Sequence, residues 1–491
     1  MADKDTSEIP AVQPLSKLST GITGFEFISD GGLPEGRTTL IMGGAGSAKT
    51  TFGVQFLAEG IKQFDQNGVF VTFEESPEMI RQNALSLGWD ISRLERRGHW
   101  AFVDVTPQED GRYIETGQYD LEGLLVRIKY AVEKSNAKRL VIDSLGALFV
   151  QFSSRSLVRQ ELFRLISALK RLGITAVLTA EHAGERAEFT KFGVEEFVAD
   201  SVIILRNTLA IESRRRTIEI LKMRGSNHRK GEFPFTVRYG EGVVIAALAA
   251  VDLNQASSVD RISSGVPALD ELCHGGFFQD SVVLVAGATG CGKTLLASKF
   301  LQGGAERGER CLFISFEEGS SQIVRNAENW GIGFRRFQSD DGPLTIFASY
   351  PETETLEDHL IMLEGVIDRY KPSRIVLDSL TALGRIASEL SFKQFLVSLT
   401  SKIKSKGIAC LYTITCHNIL GGDNVADAQI SSVTDTIINL RYLELEGEIR
   451  RGLNVLKMRG SMHSKEIYEF DIDWGGIHIR EPFRKTTNFY G

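Results

Sequence analysis

At 491 residues, with 42% hydrophobic and 24% charged side chains, the chain is too long for one core and long enough for two domains of ordinary size. No apolar run approaches the ~20 residues that cross a bilayer, and residues 1 to 17 lack the apolar centre of a signal peptide, so membrane-embedded and secreted classes are excluded and a cytoplasmic protein is expected. A net charge of −7 argues against a dedicated duplex-DNA binder, and cysteines 273, 291, 311, 410 and 416, without Cys-x-x-Cys spacing, read as free thiols rather than a metal or disulfide framework.

In chain order, residues 1 to 17 read as a flexible tail and 18 to 246 as a first domain. Strand-like runs at 38–42, 69–73, 140–142 and 176–178 alternate there with longer helical stretches. A linker is expected over 247 to 261, where Ala- and Ser-rich sequence has no motif. A second domain, 262 to 481, repeats the pattern with runs at 282–286, 311–315, 375–377 and 409–413, and a short tail follows over 482 to 491. Such alternation predicts an α/β chain with a doubly wound, mainly parallel sheet in each half. The halves are copies. Lys49 and Lys293 lie 244 residues apart, as do Leu18-Ser-Thr-Gly21 and Ile262-Ser-Ser-Gly265. The segments Val141-Ile-Asp-Ser-Leu145 and Lys222-Met-Arg-Gly225 recur 235 residues on, the drift being loop length.

Each half carries a phosphate-binding loop, Gly43-Gly44-Ala45-Gly46-Ser47-Ala48-Lys49-Thr50 and Gly287-Ala288-Thr289-Gly290-Cys291-Gly292-Lys293-Thr294. Between a strand and a helix, the backbone N–H groups of such a loop converge on phosphates, the lysine reaches the β/γ oxygens and the threonine hydroxyl holds Mg²⁺. With Thr51 and Leu295 these residues form two candidate ATP sites. Ala48 departs from the pattern, adding a methyl group where the backbone passes closest to phosphate. Asp143 and Asp378 each end an apolar strand, where a carboxylate can complete the Mg²⁺ shell beside Thr50 and Thr294; the plain alternative is a helix cap. The pairs Glu74-Glu75 and Glu317-Glu318 follow strands, and alternation lets one of each pair face the nucleotide as a base.

Lys222, Met223, Arg224 and His228 match Lys457, Met458, Arg459 and His463, with Arg216 and Arg451 six residues before each lysine. Alternation on a strand puts these cations on one face, where they can meet the γ-phosphate of a neighbouring subunit and act in trans; the plain alternative is an exposed basic edge strand. That geometry requires a ring. One mismatch separates the halves: Ser431 and Ser432 stand opposite Glu196 and Phe197. Hydroxyls present in one copy alone suggest that the second half phosphorylates itself while the first only hydrolyses.

Taken together, both loops, both Glu pairs, both Asp-Ser strands, both Lys-Met-Arg-Gly segments and Ser431-Ser-Val-Thr-Asp-Thr436 resemble the KaiC family, the ATPases and autokinases of the cyanobacterial circadian oscillator, over roughly residues 15 to 485. The resemblance implies tandem RecA-like domains, CI and CII, stacked as a homo-hexameric double ring with ATP and Mg²⁺ between subunits. It implies Glu74 and Glu317 as bases with Glu75 and Glu318 as partners, Arg385 at a CII interface, Ser431 and Ser432 as phosphosites, and a KaiB-like partner through CI. It further implies a timing or stress-response switch. Clock members carry Ser-Thr at the phosphosites, and serine lacks the methyl that restricts threonine. They also continue past the equivalent of Gly491 into a tail that engages KaiA, so KaiA binding is not expected. The competing reading is a RecA- or helicase-like nucleic-acid-dependent motor; the acidic balance and the lack of a basic loop interleaved with aromatics count against it.

Overall fold

Runs rich in Val, Ile, Leu and Phe, bounded by glycine and polar turns, become the strands that the patterns predict. The computed structural model describes residues 15–106, 121–146, 155–181, 198–210, 213–246, 257–339, 342–415, 430, 432–445 and 447–483. The chain forms two compact units, Met1–Ala247 and Leu248–Gly491.

In the first unit β1 (Lys17–Leu18) and β2 (Leu33–Pro34) pair as a small antiparallel ribbon. The main strands are β3 (Thr38–Gly43), β4 (Gly68–Thr72), β5 (Trp100–Asp104), β6 (Arg139–Asp143), β7 (Thr175–Glu181), β8 (Ser201–Ala210), β9 (Ser213–Met223), β10 (Glu232–Arg238) and β11 (Gly242–Ile245). They form one sheet in the order β11-β10-β9-β8-β3-β7-β6-β4-β5, parallel from β8 to β5 and antiparallel from β8 to β11.

The second unit repeats this plan with a ribbon of β12 (Arg261–Ile262) and β13 (Phe277–Phe278). Its sheet contains β14 (Val282–Gly287), β15 (Cys311–Ser315), β16 (Leu344–Ala348), β17 (Arg374–Asp378), β18 (Ala409–Thr415), β19 (Thr436–Leu445), β20 (Glu448–Met458), β21 (Tyr468–Asp473) and β22 (Gly476–Pro482). The order is β16-β15-β17-β18-β14-β19-β20-β21-β22. Lys17, Arg261 and Pro482, read from sequence as tail, linker and tail, are strand residues, because each pairs its backbone across a ribbon or hairpin.

Central parallel strands are covered on both faces and are apolar throughout, as expected for such sheets. Below β3, Ile41 joins Phe52 and Phe56 of the helix Lys49–Phe64 in one cluster; above it, Leu40 and Met42 join Leu124, Ile128 and Leu165 in another. Arg139 and Arg374 are both fully buried. Arg139 donates to the carbonyls of Ser19, Thr20 and Phe56, and Arg374 to those of Ser263 and Phe300 and to the Glu309 carboxylate. Each arginine thereby ties its N-terminal segment to the sheet, satisfying carbonyls that burial would otherwise leave unpaired.

In β9 and β20 the ladder slips by one residue. Val202 faces Lys222 while Ile203 faces Ile220, so Leu221 is extra; Ile437 faces Lys457 while Ile438 faces Val455, so Leu456 is extra. An added residue reverses which face later side chains point to.

Candidate functional site

The loop after each central strand feeds directly into a helix, Lys49–Phe64 in the first half and Lys293–Ala305 in the second. Lys49 Nζ donates to the carbonyls of Gly43 at 2.8 Å and Gly44 at 3.0 Å; Lys293 Nζ does the same to Gly287 at 2.9 Å and Ala288 at 2.9 Å. Each ammonium is thus curled over its own loop, at the head of a helix whose N–H groups favour an anion. Burial pushes the Lys49 pKa down, opposed by the carboxylates of Asp143, Glu181 and Glu74.

Beside each loop lies the same chain of oxygens. Thr50 Oγ1 donates to Asp143 Oδ2 at 2.6 Å and Thr294 Oγ1 to Asp378 Oδ2 at 2.8 Å. The other carboxylate oxygen of each aspartate accepts from Thr179 or Thr413 on the adjacent strand. The peptide bonds Asp143–Ser144 and Asp378–Ser379 are cis, and the next hydroxyls reach the glutamates: Ser144 Oγ to Glu74 Oε1 at 2.7 Å, Ser379 Oγ to Glu317 Oε1 at 2.7 Å. Glu75 and Glu318 turn instead to Asn83 at 3.2 Å and Asn326 at 3.1 Å. Burial raises the pKa of both, and repulsion from Asp143 or Asp378 adds to it. Asp378 is also raised, by burial, against the hydrogen bonds from Thr413 and Thr294.

These are the residues of one family. The description "ATPase: KaiC" matches residues 18–250 and 262–483. The chain is 53% identical over 487 residues to the circadian clock protein KaiC3 of Synechocystis, covering 99% of this chain and 95% of that protein. It is 48% identical over 484 residues to the circadian clock oscillator protein KaiC of Picosynechococcus, covering 99% and 93%, and 48% identical over 475 residues to that of Prochlorococcus marinus, covering 97% and 94%. The chain belongs to the KaiC family. Both units are therefore KaiC-type P-loop ATPase domains, which bind nucleotide, and the match does not favour the nucleic-acid motor.

Within this KaiC frame the tertiary structure redistributes several residues. The Glu pairs lie in a bend beyond β4 and β15, not on strands, so strand alternation does not set their directions; within each pair it is Glu74 and Glu317 that accept from Ser144 and Ser379. The side chains of Met223, Cys291 and Leu295 lie in the apolar clusters, leaving only their backbones for a nucleotide. Arg216 does not share a face with Lys222 and Arg224. It lies before the Leu221 bulge, on the side of Ile218 and Ile220, and its Nε donates to Gly46 O of its own loop at 3.2 Å. Arg451 likewise precedes its bulge, with its guanidinium 5.7 Å from the Tyr442 ring. Both arginines thus lie on the other face of their strand from Lys222 and Lys457. His228 and His463 are half-buried, each with Nδ1 buried and without a hydrogen-bond partner. Arg385 ends the helix Leu380–Arg385, exposed. Ser431, Glu196 and Phe197 lie outside the described residues, whereas Ser432 is exposed in a helical segment that ends shortly before β19.

Thr179 and Thr413 escaped sequence reasoning, although their recurrence at the fifth position of β7 and β18 was a usable signal. Glu181 also escaped it: it ends β7 and bears on Lys49, whereas Thr415 ends β18.

Ala48 shows how one repeat tolerates a change that the other does not. It caps its helix at φ 70, a left-handed conformation costing a side-chain-bearing residue about 1–2 kcal/mol, and it packs against the apolar cluster under the loop. Its counterpart Gly292 has φ 101, and a Cβ there would lie 2.8 Å from Ile472 Cδ1. The first half has the smaller Val237 in place of Ile472. Gly292→Ala is therefore expected to destabilise the second unit by about 1–2 kcal/mol, whereas Ala48→Gly should be near neutral because strain relief is offset by the freer unfolded chain. Thermal unfolding of the two variants checks this; equal shifts would refute it.

Proposed function

We propose that the first domain (18 to 246) hydrolyses ATP and that the second (262 to 481) transfers the γ-phosphate of ATP to Ser431 and Ser432, in a cytoplasmic homo-hexamer acting as a timing or stress-response switch. The observation that carries this reading is the duplicated chain from loop threonine to aspartate, serine and glutamate, with Ser432 exposed shortly before β19 in the second half. In the first domain Glu74 takes the proton of a water whose oxygen bonds to Pγ as the Pγ–O bond to ADP breaks. In the second, Glu317 takes the serine proton, Oγ bonds to Pγ, and ADP leaves. Glu75 and Glu318, raised in pKa, remain partners of these bases.

Mg²⁺ fits here because each loop brings a hydroxyl and a carboxylate, hard oxygen donors, to one point: Thr50 with Asp143 and Thr294 with Asp378. When bound with ATP it neutralises charge on the β- and γ-oxygens. Lys222, Arg224 and His228, with Lys457, Arg459 and His463, lie beyond the bulges and are assigned to the nucleotide of the neighbouring subunit, with Arg385 at the same boundary. Relatives at 48–53% identity are named circadian clock proteins, which supports the timing role; a KaiB-like partner on the first domain is part of the same reading.

Peptide mass spectrometry after incubation with MgATP tests the reading. Phosphate on Ser431 and Ser432 is the expected result; ATP hydrolysis with neither serine modified would leave an ATPase without autokinase activity.

A further inference from the structure

The cations beyond the second bulge grip the segment that carries Ser432. Lys457 Nζ donates to the carbonyl of Thr434 at 2.8 Å, and Arg459 Nη2 donates to the carbonyl of Ser432 at 2.9 Å. Arg459 also lies 3.8 Å from Asp435 Oδ1. Asp435 is itself fixed, paired with Lys404 at 2.7 Å and accepting the N–H of Val282 at 2.9 Å, at the start of the strand that leads into the phosphate-binding loop. The backbone N–H of Arg459 closes the arrangement on Asp435 O at 2.9 Å.

The bulge makes this possible. Strict alternation would aim Lys457 to the side of Leu453 and Val455, which lie in the apolar cluster; the extra Leu456 turns Lys457 and Arg459 to the opposite face. Ser432 is exposed there, and its carbonyl is held by Arg459.

We propose that Arg459 is a positioning residue for Ser432, holding the acceptor segment by the Ser432 carbonyl and so favouring Ser432 over its neighbour Ser431 as the phosphate acceptor. This rests on the autokinase reading above. Guanidinium offers several donors in a rigid fork, so it can keep the Ser432 carbonyl while facing Asp435 and a nucleotide; a lysine, as a single point charge, cannot hold the same set. Acceptor geometry matters because transfer requires the reacting atoms to be about 3–3.5 Å apart.

The test uses the full-length protein and its Arg459→Ala and Arg459→Lys variants, each incubated with MgATP, with phosphate on each serine quantified separately. Both serines draw on the same nucleotide, so weakened ATP binding lowers both and leaves their ratio unchanged, whereas loss of the anchor changes the ratio. The ratio of phosphate on Ser432 to that on Ser431 should fall about fivefold in Arg459→Ala, the scale of a charge-assisted hydrogen bond at an accessible site, and recover in part in Arg459→Lys. Thermal unfolding verifies that the variants fold, as suits a side chain that is 52% exposed. Less total phosphate at an unchanged ratio would overturn the proposal and leave Arg459 acting on nucleotide alone. If the unsubstituted protein carries phosphate on neither serine, the autokinase reading itself falls.

Discussion

Glu317→Gln is expected to lower phosphorylation of Ser431 and Ser432 by about 10²- to 10⁴-fold, the usual contribution of a general base, while ATP hydrolysis by the first domain continues. Glutamine keeps the shape of the side chain and can still accept the hydrogen bond that Ser379 Oγ now gives to Glu317 Oε1 at 2.7 Å; what it cannot do is take a proton. The folding cost is therefore small and the chemical cost large. Glu74→Gln is the mirror experiment, because Ser144 holds Glu74 in the same way: hydrolysis by the first domain should be lost and serine phosphorylation retained. Phosphopeptide analysis and phosphate release, measured on both variants, separate the two activities. A Glu317→Gln protein that phosphorylates within threefold of the parent would remove Glu317 from the chemistry.

Asp378→Asn should raise the melting temperature of the nucleotide-free protein at neutral pH while reducing phosphorylation by about 10²- to 10³-fold, the cost of losing one preorganised electrostatic group. Asp378 is 9% exposed, and burial raises its pKa even though Thr294 and Thr413 donate to it. For a carboxyl group whose folded pKa lies above its unfolded value, the fold is favoured at low pH and that contribution is lost as pH rises through the folded pKa. Burial of the Asp378 carboxyl therefore costs the nucleotide-free fold stability at neutral pH, and asparagine removes that cost while its amide still pairs with hydroxyls that can donate or accept. The stability gain should shrink on acidification as the parent aspartate takes up its proton. A lower melting point for Asp378→Asn at neutral pH would contradict this account. Stability forgone at Asp378 is recovered in function, where an ionised carboxylate beside Thr294 suits a divalent cation.

Much of the candidate site was legible because it consists of short, contiguous patterns. A glycine-rich loop ending in Lys-Thr already specifies a strand, a turn and a helix N-terminus, and its repetition 244 residues later identified two such sites. Asp143 and Asp378 were legible as the polar ends of apolar runs. The Arg216 and Lys222 pairing was not. Both lie on β9 at the same parity, yet the unpaired Leu221 puts them on opposite faces, and whether a ladder slips depends on the partner strand rather than on the residues of one strand.

By itself the sequence determined the duplicated α/β architecture, the two phosphate-binding loops and the residue types around them, since periodicity and glycine placement act locally through backbone sterics and side-chain direction. Tertiary structure alone decided which atoms meet: that Thr179 and Thr413 complete the aspartates, that Ser144 and Ser379 select one glutamate of each pair, that Ala48 is tolerated where Gly292 is crowded by Ile472, and that Arg459 reaches the Ser432 carbonyl. Each of these contacts joins residues brought together by strand register and packing between elements distant in the chain, and register is settled only when whole strands align their buried faces at once.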